Sequence, residues 1–145
     1  MKLSVYIEFE AEFPSTDLVR IYNADFLASL FRSELEMTGH AVVSDDLWND
    51  FGWYLVVMCN EIKFTIQFAK YSDKDNWELI IEPTNYPNIL QRGFGARPVE
   101  YLPSLQELTN TIFNTLRSSP YVDRLEICLS NNTKITVDSP DELNW

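Results

Sequence analysis

The side chains best suited to chemistry in this chain are one histidine, two cysteines and a large set of acids. His40 is the only histidine, which excludes a zinc site built from several histidines. It follows Gly39 at a predicted junction between a helix and a strand. A general base needs a nucleophile or substrate within reach, and the sequence beside His40 supplies neither. We therefore predict that His40 is an ordinary junction residue.

The two cysteines, Cys59 and Cys128, lie far apart, each in a predicted strand. Apolar residues adjoin both, with Ile127 and Leu129 on either side of Cys128. A thiol is reactive where it is exposed and close to positive charge, and burial among apolar groups raises its pKa. We predict buried, inert thiols and leave open whether the two form a disulfide.

The densest group of carboxylates consists of Asp45, Asp46 and Asp50. Hard cations bind to several oxygen ligands, but the spacing of these acids does not match an EF-hand loop. The sequence instead predicts a solvated acidic loop from Asp45 to Gly52 that also carries Trp48. We consider the three acids and Trp48 candidate partner-binding residues, because rings anchor protein interfaces.

The one local basic island runs from Arg92 to Arg97, inside an irregular region from Pro83 to Pro103. Its glycines allow backbone amides to approach an anion, yet the spacing matches neither a Walker A loop nor a dinucleotide-binding loop. A loop of this length in a compact domain is often functional. We predict that it binds a partner through Tyr86, Arg92, Phe94 and Arg97. The alternative is that the arginines only pair with the protein's own acids.

The overall charge limits the classes of partner. The chain of 145 residues has 22 acidic against 11 basic residues, a formal net charge of −11. This charge argues against nucleic-acid binding and against docking on anionic membranes. No apolar run reaches the length of a membrane span and no signal peptide is evident, so we predict a cytoplasmic protein. High net charge either serves solubility or attracts a basic protein.

Alternation of apolar and polar residues predicts the strands that position these groups. It is purest in Ile62–Phe68, and Leu3–Ala11 alternates with an acidic outer face of Glu8, Glu10 and Glu12. Residues 53–59 are almost continuously apolar, which predicts a central strand covered on both faces. Further strands are predicted at residues 40–44, 77–82 and 121–129.

Two amphipathic segments predict helices. The first runs from Leu18 to Met37, or from Ala24 if Asn23 is the cap, and ends at Gly39. The second is predicted to begin with a capping box formed by Ser104 and Glu107. The order β-α-β-β-β-β-loop-α-β predicts an α+β fold, with a predominantly antiparallel sheet and two helices packed on one face. Residues 1–145 are predicted to form a single domain in which residues 139–145 are a loose tail, unless Trp145 docks against the domain.

No motif in the chain predicts an enzymatic reaction, a cofactor or a metal ion. As an acidic, single-domain α+β chain without catalytic groups, it is similar in composition to bacterial immunity proteins, which neutralise toxin domains. The expected function is therefore non-enzymatic binding of a basic protein partner, most concretely as a toxin-neutralising protein of the immunity type. The alternative is a small-molecule or anion-binding domain that uses residues 83–103 as a lid. A hydrolase that uses acidic residues is the least favoured class, because any pair of acids could be proposed for it.

Overall fold

A computed structural model of the chain describes residues 3–14, 24–48, 52–71, 75–84, 100–133 and 136–145. Among these residues the chain forms six strands, two α-helices and one short 3-10 helix. In chain order these are β1 (Val5–Ala11), α1 (Ala24–Met37), β2 (Ala41–Trp48), β3 (Gly52–Cys59), β4 (Ile62–Lys70), β5 (Asn76–Pro83), α2 (Leu102–Ser118), β6 (Val122–Leu129) and the 3-10 helix Pro140–Glu142.

The strands form one antiparallel sheet in the order β2-β3-β4-β5-β1-β6. Four consecutive strands, β2 to β5, follow one another as a meander, and β1 joins it between β5 and β6. The predicted α+β fold with an antiparallel sheet is confirmed.

One face of the sheet forms the core together with both helices. Alternate residues of β4 are fully buried on this face, as their alternation predicts, and they lie in register with buried residues of β3 and β5. The apolar stripes of α1 and α2 pack against the same cluster. The largest fully buried side chains are Trp77, Phe9, Phe31, Phe64, Phe68 and Phe113.

Helix α1 ends in a Schellman motif. Gly39 has a φ of 87°, its amide donates to the carbonyl of Glu36, and the amide of His40 donates to the carbonyl of Leu35. The predicted end of the helix at Gly39 is confirmed. Its described part begins at Ala24, and residues 15–23 lie outside the described residues.

Helix α2 begins before the predicted capping box, so that prediction is wrong. The N-cap is Tyr101, and the proline that follows it, Pro103, lies in the first turn, where a missing amide proton costs nothing. No side chain caps the helix. Ser104 is buried and its hydroxyl accepts a hydrogen bond from the side chain of Asn60. Glu107 is therefore available for contacts outside its own helix.

Two strand predictions also need correction. Strand β2 continues through Asp45 and Asp46 to Trp48 instead of giving way to a loop. It is an edge strand of the described sheet, where charged residues such as the exposed Asp46 discourage edge-to-edge pairing. Strand β3 is central, but its residues alternate between buried and half-buried, so only one of its faces is covered.

The C-terminal residues are packed rather than loose. Ser139 caps the 3-10 helix Pro140–Glu142 by accepting a hydrogen bond from the amide of Asp141. Pro140 is buried, and Leu143 and Trp145 pack against the core.

Candidate functional site

The sheet face opposite the helices, called here the open face, carries a row of three glutamates on three adjacent strands. Glu8 of β1 lies directly opposite Glu78 of β5 on one side and Glu126 of β6 on the other. We call Glu78, Glu8 and Glu126 the acidic row. Like charges directly opposite each other on neighbouring strands are destabilising.

One arginine partly neutralises this region. Arg124 Nε lies 3.2 Å from Glu10 Oε1, and its Nη1 lies 3.4 Å from Glu126 Oε1. Within the described ranges, no lysine or arginine pairs with Glu8 or Glu78, and both side chains are exposed. The centre of the acidic row therefore carries uncompensated negative charge.

Two neighbouring groups lie within this negative potential. The pKa of Tyr71 is raised by burial and next by the charge of Glu8. The pKa of the Cys128 thiol is raised by burial and then by Glu8 and Glu78. Both shifts disfavour further negative charge, and by the same physics the open face favours an approaching cation.

An apolar and aromatic row lies beside the acidic row. Tyr6 is opposite Ile80 of β5 and Cys128 of β6, and all three are on the open face. Tyr6 and Ile80 are half-buried, as are Tyr54, Val56 and Met58, which point to the open face from β3. The open face thus combines exposed carboxylates with partly exposed rings and aliphatic groups.

The predicted acidic contact residues do not form one surface. Asp45 lies opposite buried Leu55 and its carboxylate is 2.5 Å from Arg32 of α1, so it is on the helix side of the sheet. Asp46 is exposed opposite Tyr54 on the open face. Trp48 ends β2, and the described structure does not cover its side chain. The remaining predicted contact residues lie outside the described residues: Asp50, Tyr86, Arg92, Phe94 and Arg97.

A second group of polar side chains lies under the helices. His40, Cys59 and Glu107 each offer one ligand atom, and these atoms are all within 4.8 Å of one another. Cys59 Sγ is 3.6 Å from Glu107 Oε2, and His40 Nε2 is 4.0 Å from Glu107 Oε1. His40 and Cys59 are buried, whereas Glu107 is half exposed. We call these three residues the His-Cys-Glu cluster.

Local structure positions each member of the His-Cys-Glu cluster. The Schellman motif fixes His40, and Cys59 is the last residue of β3. The two-residue turn that follows, Asn60 and Glu61, has positive φ at both positions, the type I′ geometry that suits a β-hairpin. Asn60 Nδ2 donates to Glu107 Oε2 at 2.8 Å, which orients the carboxylate toward the cluster.

Nucleophilic catalysis is disfavoured in this cluster. Burial, followed by the charge of Glu107, raises the pKa of the Cys59 thiol from 9.0 to about 12. A nucleophilic cysteine needs a lowered pKa and access to substrate, whereas Cys59 is fully buried. The prediction of a buried, inert thiol agrees with this environment.

A groove of about 590 Å³ runs between the two helices, outside the core. Phe26, Leu30 and Thr38 line it from α1 and its end, and Asn110 and Thr111 line it from α2. Its acidic lining residues are Glu34 and Glu107, so it suits a neutral or cationic group better than an anion. Glu107 joins the groove to the His-Cys-Glu cluster.

The two thiols are on opposite faces of the sheet. Cys59 faces the helices and Cys128 faces the open side, and both are free. The cysteines therefore do not form the disulfide that the sequence left open.

Sequence reasoning found the acidic outer face of β1 but not the acidic row. The alternation around Glu78 and around Glu126 places each on a polar face, but only the strand order brings both beside Glu8. The His-Cys-Glu cluster gave no signal, since its members come from positions 40, 59 and 107 without a motif.

Neither helix in the described ranges has the length and apolar character that crossing a membrane requires. No protein-family model matches the chain, and no curated protein sequence is significantly similar to it.

Proposed function

We propose that this protein is a non-enzymatic binding protein whose open face binds a basic protein. The observation that carries the proposal is the acidic row, in which Glu8 is opposed by a glutamate on each side. Lysine and arginine side chains of a partner would lie between these carboxylates and remove the repulsion that the free protein sustains.

Like-charge pairing makes the acidic row more than a solvated surface. A favourable cross-strand pair stabilises a sheet by about 0.2–1 kcal/mol, whereas two like charges directly opposite each other destabilise it. Glu8 makes two such unfavourable contacts, and Arg124 offsets charge only at Glu10 and Glu126. A residue arrangement that lowers the stability of the free protein is typical of a functional surface.

The neighbouring apolar row supplies the second component of an interface. Protein interfaces combine a desolvated centre rich in rings with a charged rim. Tyr6 and Ile80 adjoin the acidic row along β1 and β5, and Tyr54 and Met58 extend this surface along β3. These side chains would provide apolar contact area, which a cluster of carboxylates alone lacks.

The most concrete form of this proposal is a cytosolic protein of the immunity type that neutralises a basic toxin domain. The net charge of −11 would steer such a partner toward the protein and speed its association. Occupation of the partner's basic surface would then block whatever anionic substrate that surface binds.

Affinity capture from a native lysate at low salt, with three matched baits, tests the proposal. The baits are the parent protein, a face variant with Glu8, Glu78 and Glu126 replaced by Gln, and a control with Glu36→Gln, Asp123→Asn and Asp141→Asn. Both variants lose three negative charges, but none of the control substitutions belongs to the acidic row: they lie on α1, at the exposed start of β6 and on the 3-10 helix.

We expect the parent and the control to retain the same basic protein, which salt elutes, and the face variant to lose it. Equal retention by all three baits would refute the acidic row as the site. Equal loss from both variants would show that net charge alone attracts the partner.

A second candidate function is small-molecule binding, which the groove between α1 and α2 favours. This groove is a different site from the predicted lid of residues 83–103. Arg92 and Arg97 of that lid lie outside the described residues. A thermal-shift screen of neutral and cationic compounds tests it. A compound that binds the groove should lose its stabilising effect in Thr111→Trp, which places a bulky ring in the groove, and should keep it in Gln67→Trp on the open face.

A further inference from the structure

We propose that the His-Cys-Glu cluster binds one divalent transition-metal ion of the zinc class. His40 Nε2, Cys59 Sγ and a carboxylate oxygen of Glu107 would be its ligands, and binding would release the thiol proton of Cys59 to solvent. This inference does not depend on the acidic row, which lies on the other face of the sheet.

The spacing of the three side chains is close to that of a metal site. Zinc binds sulfur at about 2.3 Å and nitrogen or oxygen at about 2.0–2.2 Å, so its tetrahedral ligand atoms lie about 3.3–3.7 Å apart. Cys59 Sγ and Glu107 Oε2 are 3.6 Å apart, and His40 Nε2 and Glu107 Oε1 are 4.0 Å apart. These two distances involve different oxygens of Glu107, and the three ligand atoms as a set lie within 4.8 Å of one another. The side chains would therefore move inward by about 1 Å to complete the coordination.

The histidine supplies an independent observation that points to a ligand. His40 is 7% exposed and its Nε2 has no hydrogen-bond partner in the described structure. A buried polar atom without a partner is destabilising, because it has lost its hydrogen bonds to water. This nitrogen points toward Glu107 and Cys59, where a metal ion would satisfy it.

A second layer of contacts supports the carboxylate. Ligating carboxylates are usually held by hydrogen bonds from neighbouring groups. Asn60 donates to Glu107 Oε2 at 2.8 Å and to Ser104 Oγ at 3.1 Å. Asn60 and Glu61 occupy the left-handed region, and non-glycine residues there often mark functional sites.

The donor set selects the class of metal. A thiolate is a soft ligand and an imidazole is a borderline one, so the cluster disfavours Ca²⁺ and Mg²⁺, which prefer oxygen. One sulfur, one nitrogen and one oxygen donor suit Zn²⁺ or Co²⁺ with an exogenous fourth ligand. Glu107 is half exposed and lines the groove between the helices, whereas His40 and Cys59 are buried and do not line it, so an ion would enter past Glu107.

Co²⁺ titration of the full chain, under reducing and chelator-free conditions, tests the proposal by absorption spectroscopy. A cysteine ligand produces a sulfur-to-cobalt charge-transfer band in the near ultraviolet, which carboxylates on an acidic surface cannot produce. Cys128→Ser is the matched control for Cys59→Ser, and Glu34→Gln, in the same groove, is the control for Glu107→Gln. Asn60→Gly removes the supporting amide and still permits a positive φ.

We expect one equivalent of Co²⁺ and the charge-transfer band in the parent, in Cys128→Ser and in Glu34→Gln, with Zn²⁺ displacing the cobalt. Cys59→Ser should lose the band, while Glu107→Gln and His40→Gln should lower affinity at least tenfold. Asn60→Gly should lower it about 10- to 100-fold.

Absence of the band in the parent at 1 mM Co²⁺ would overturn the proposal, as would its persistence in Cys59→Ser or its loss in Cys128→Ser. Circular dichroism of each variant verifies folding. If Cys59→Ser fails to fold, the comparison of Glu107→Gln with Glu34→Gln decides, and equal affinities there would also overturn the proposal.

Discussion

At the residue scale, Glu8 is the position where the negative charge of the chain is most concentrated on the sheet. It is the only member of the acidic row with a glutamate opposite it on both sides. Glu8→Gln removes both repulsive contacts at once. We expect it to raise the free energy of unfolding by about 0.5–1 kcal/mol at low salt, measured by urea denaturation.

Glu36→Gln is the matched control for this substitution. Glu36 is in the last turn of α1, 3.9 Å from Arg32, so loss of its charge removes both a weak attraction and a weak repulsion from the helix C-terminus. These two effects oppose each other, so its net change should be smaller than that of Glu8→Gln. Salt should reduce the gain in Glu8→Gln, because screening weakens exposed repulsion. A stabilisation that is equal in both variants would point to net charge instead of the local pairing.

The raised pKa of the Cys59 thiol should lower the free energy of unfolding at high pH. Its pKa is raised from 9.0 to about 12 in the folded protein, chiefly by burial, so the folded state keeps its proton where the unfolded state loses it. The contribution is present below pH 9 and is lost as pH rises toward 12. Between pH 8 and 10 the parent should lose about 1.4 kcal/mol more than Cys59→Ser. Urea denaturation of the metal-free proteins measures this, and parallel pH profiles would contradict it.

Phe64 tests the assignment of the core at a single residue. It is fully buried in β4 beneath the helices, so Phe64→Ala should cost about 3–5 kcal/mol of unfolding free energy. Gln67→Ala, on the open face of the same strand, should cost less than about 1 kcal/mol. Similar losses in the two variants would mean that the faces of β4 are assigned incorrectly.

At the scale of elements, two turns adopt the left-handed backbone region, one with a glycine and the other with non-glycine residues. Gly39 has a φ of 87° and nothing within 4 Å of where a Cβ would lie, so Gly39→Ala should cost only the conformational penalty of about 1–2 kcal/mol. Glu61 has a φ of 68°, so Glu61→Gly should stabilise the turn by about 1 kcal/mol. Thermal unfolding measures both, and a loss of stability in Glu61→Gly would show that its side chain has a structural role.

Elements with a clean period could be predicted from sequence. The strand through Phe64, the helix that ends at Gly39 and the antiparallel α+β class follow from alternation, spacing and a glycine at the helix end. The sequence does not predict strand β2 beyond Ser44, because Asp45 and Asp46 are typical of a loop. Their backbone pairing with β3 stabilises the strand despite this low strand propensity. The start of α2 was misplaced because the Ser104 pattern fits a cap, whereas Pro103 determined the first turn.

Contacts between distant elements account for the rest. The acidic row depends on β1 entering the sheet between β5 and β6, which no local pattern specifies. The His-Cys-Glu cluster needs the ends of α1 and β3 to meet the first turns of α2. The sequence could therefore supply the chemical groups of both sites but not their neighbours.

At the scale of the whole molecule, the sheet separates two kinds of surface. The core and both helices occupy one face, and the open face carries the acidic row beside partly exposed rings and aliphatic groups. With a net charge of −11, the field of the molecule attracts cations from a distance, and in the proposed function the open face would be the contact surface. Long-range attraction and local contact should therefore respond differently to substitution.

The most direct measurement is the association rate of the captured basic protein with the parent, the face variant and the control variant as salt is raised. Steering predicts fast association by the parent that falls about tenfold or more between about 20 and 200 mM salt. The face variant should associate more slowly than the control at low salt, although both carry the same net charge. An association rate indifferent to salt, or equal rates for the two variants, would contradict binding at the acidic row.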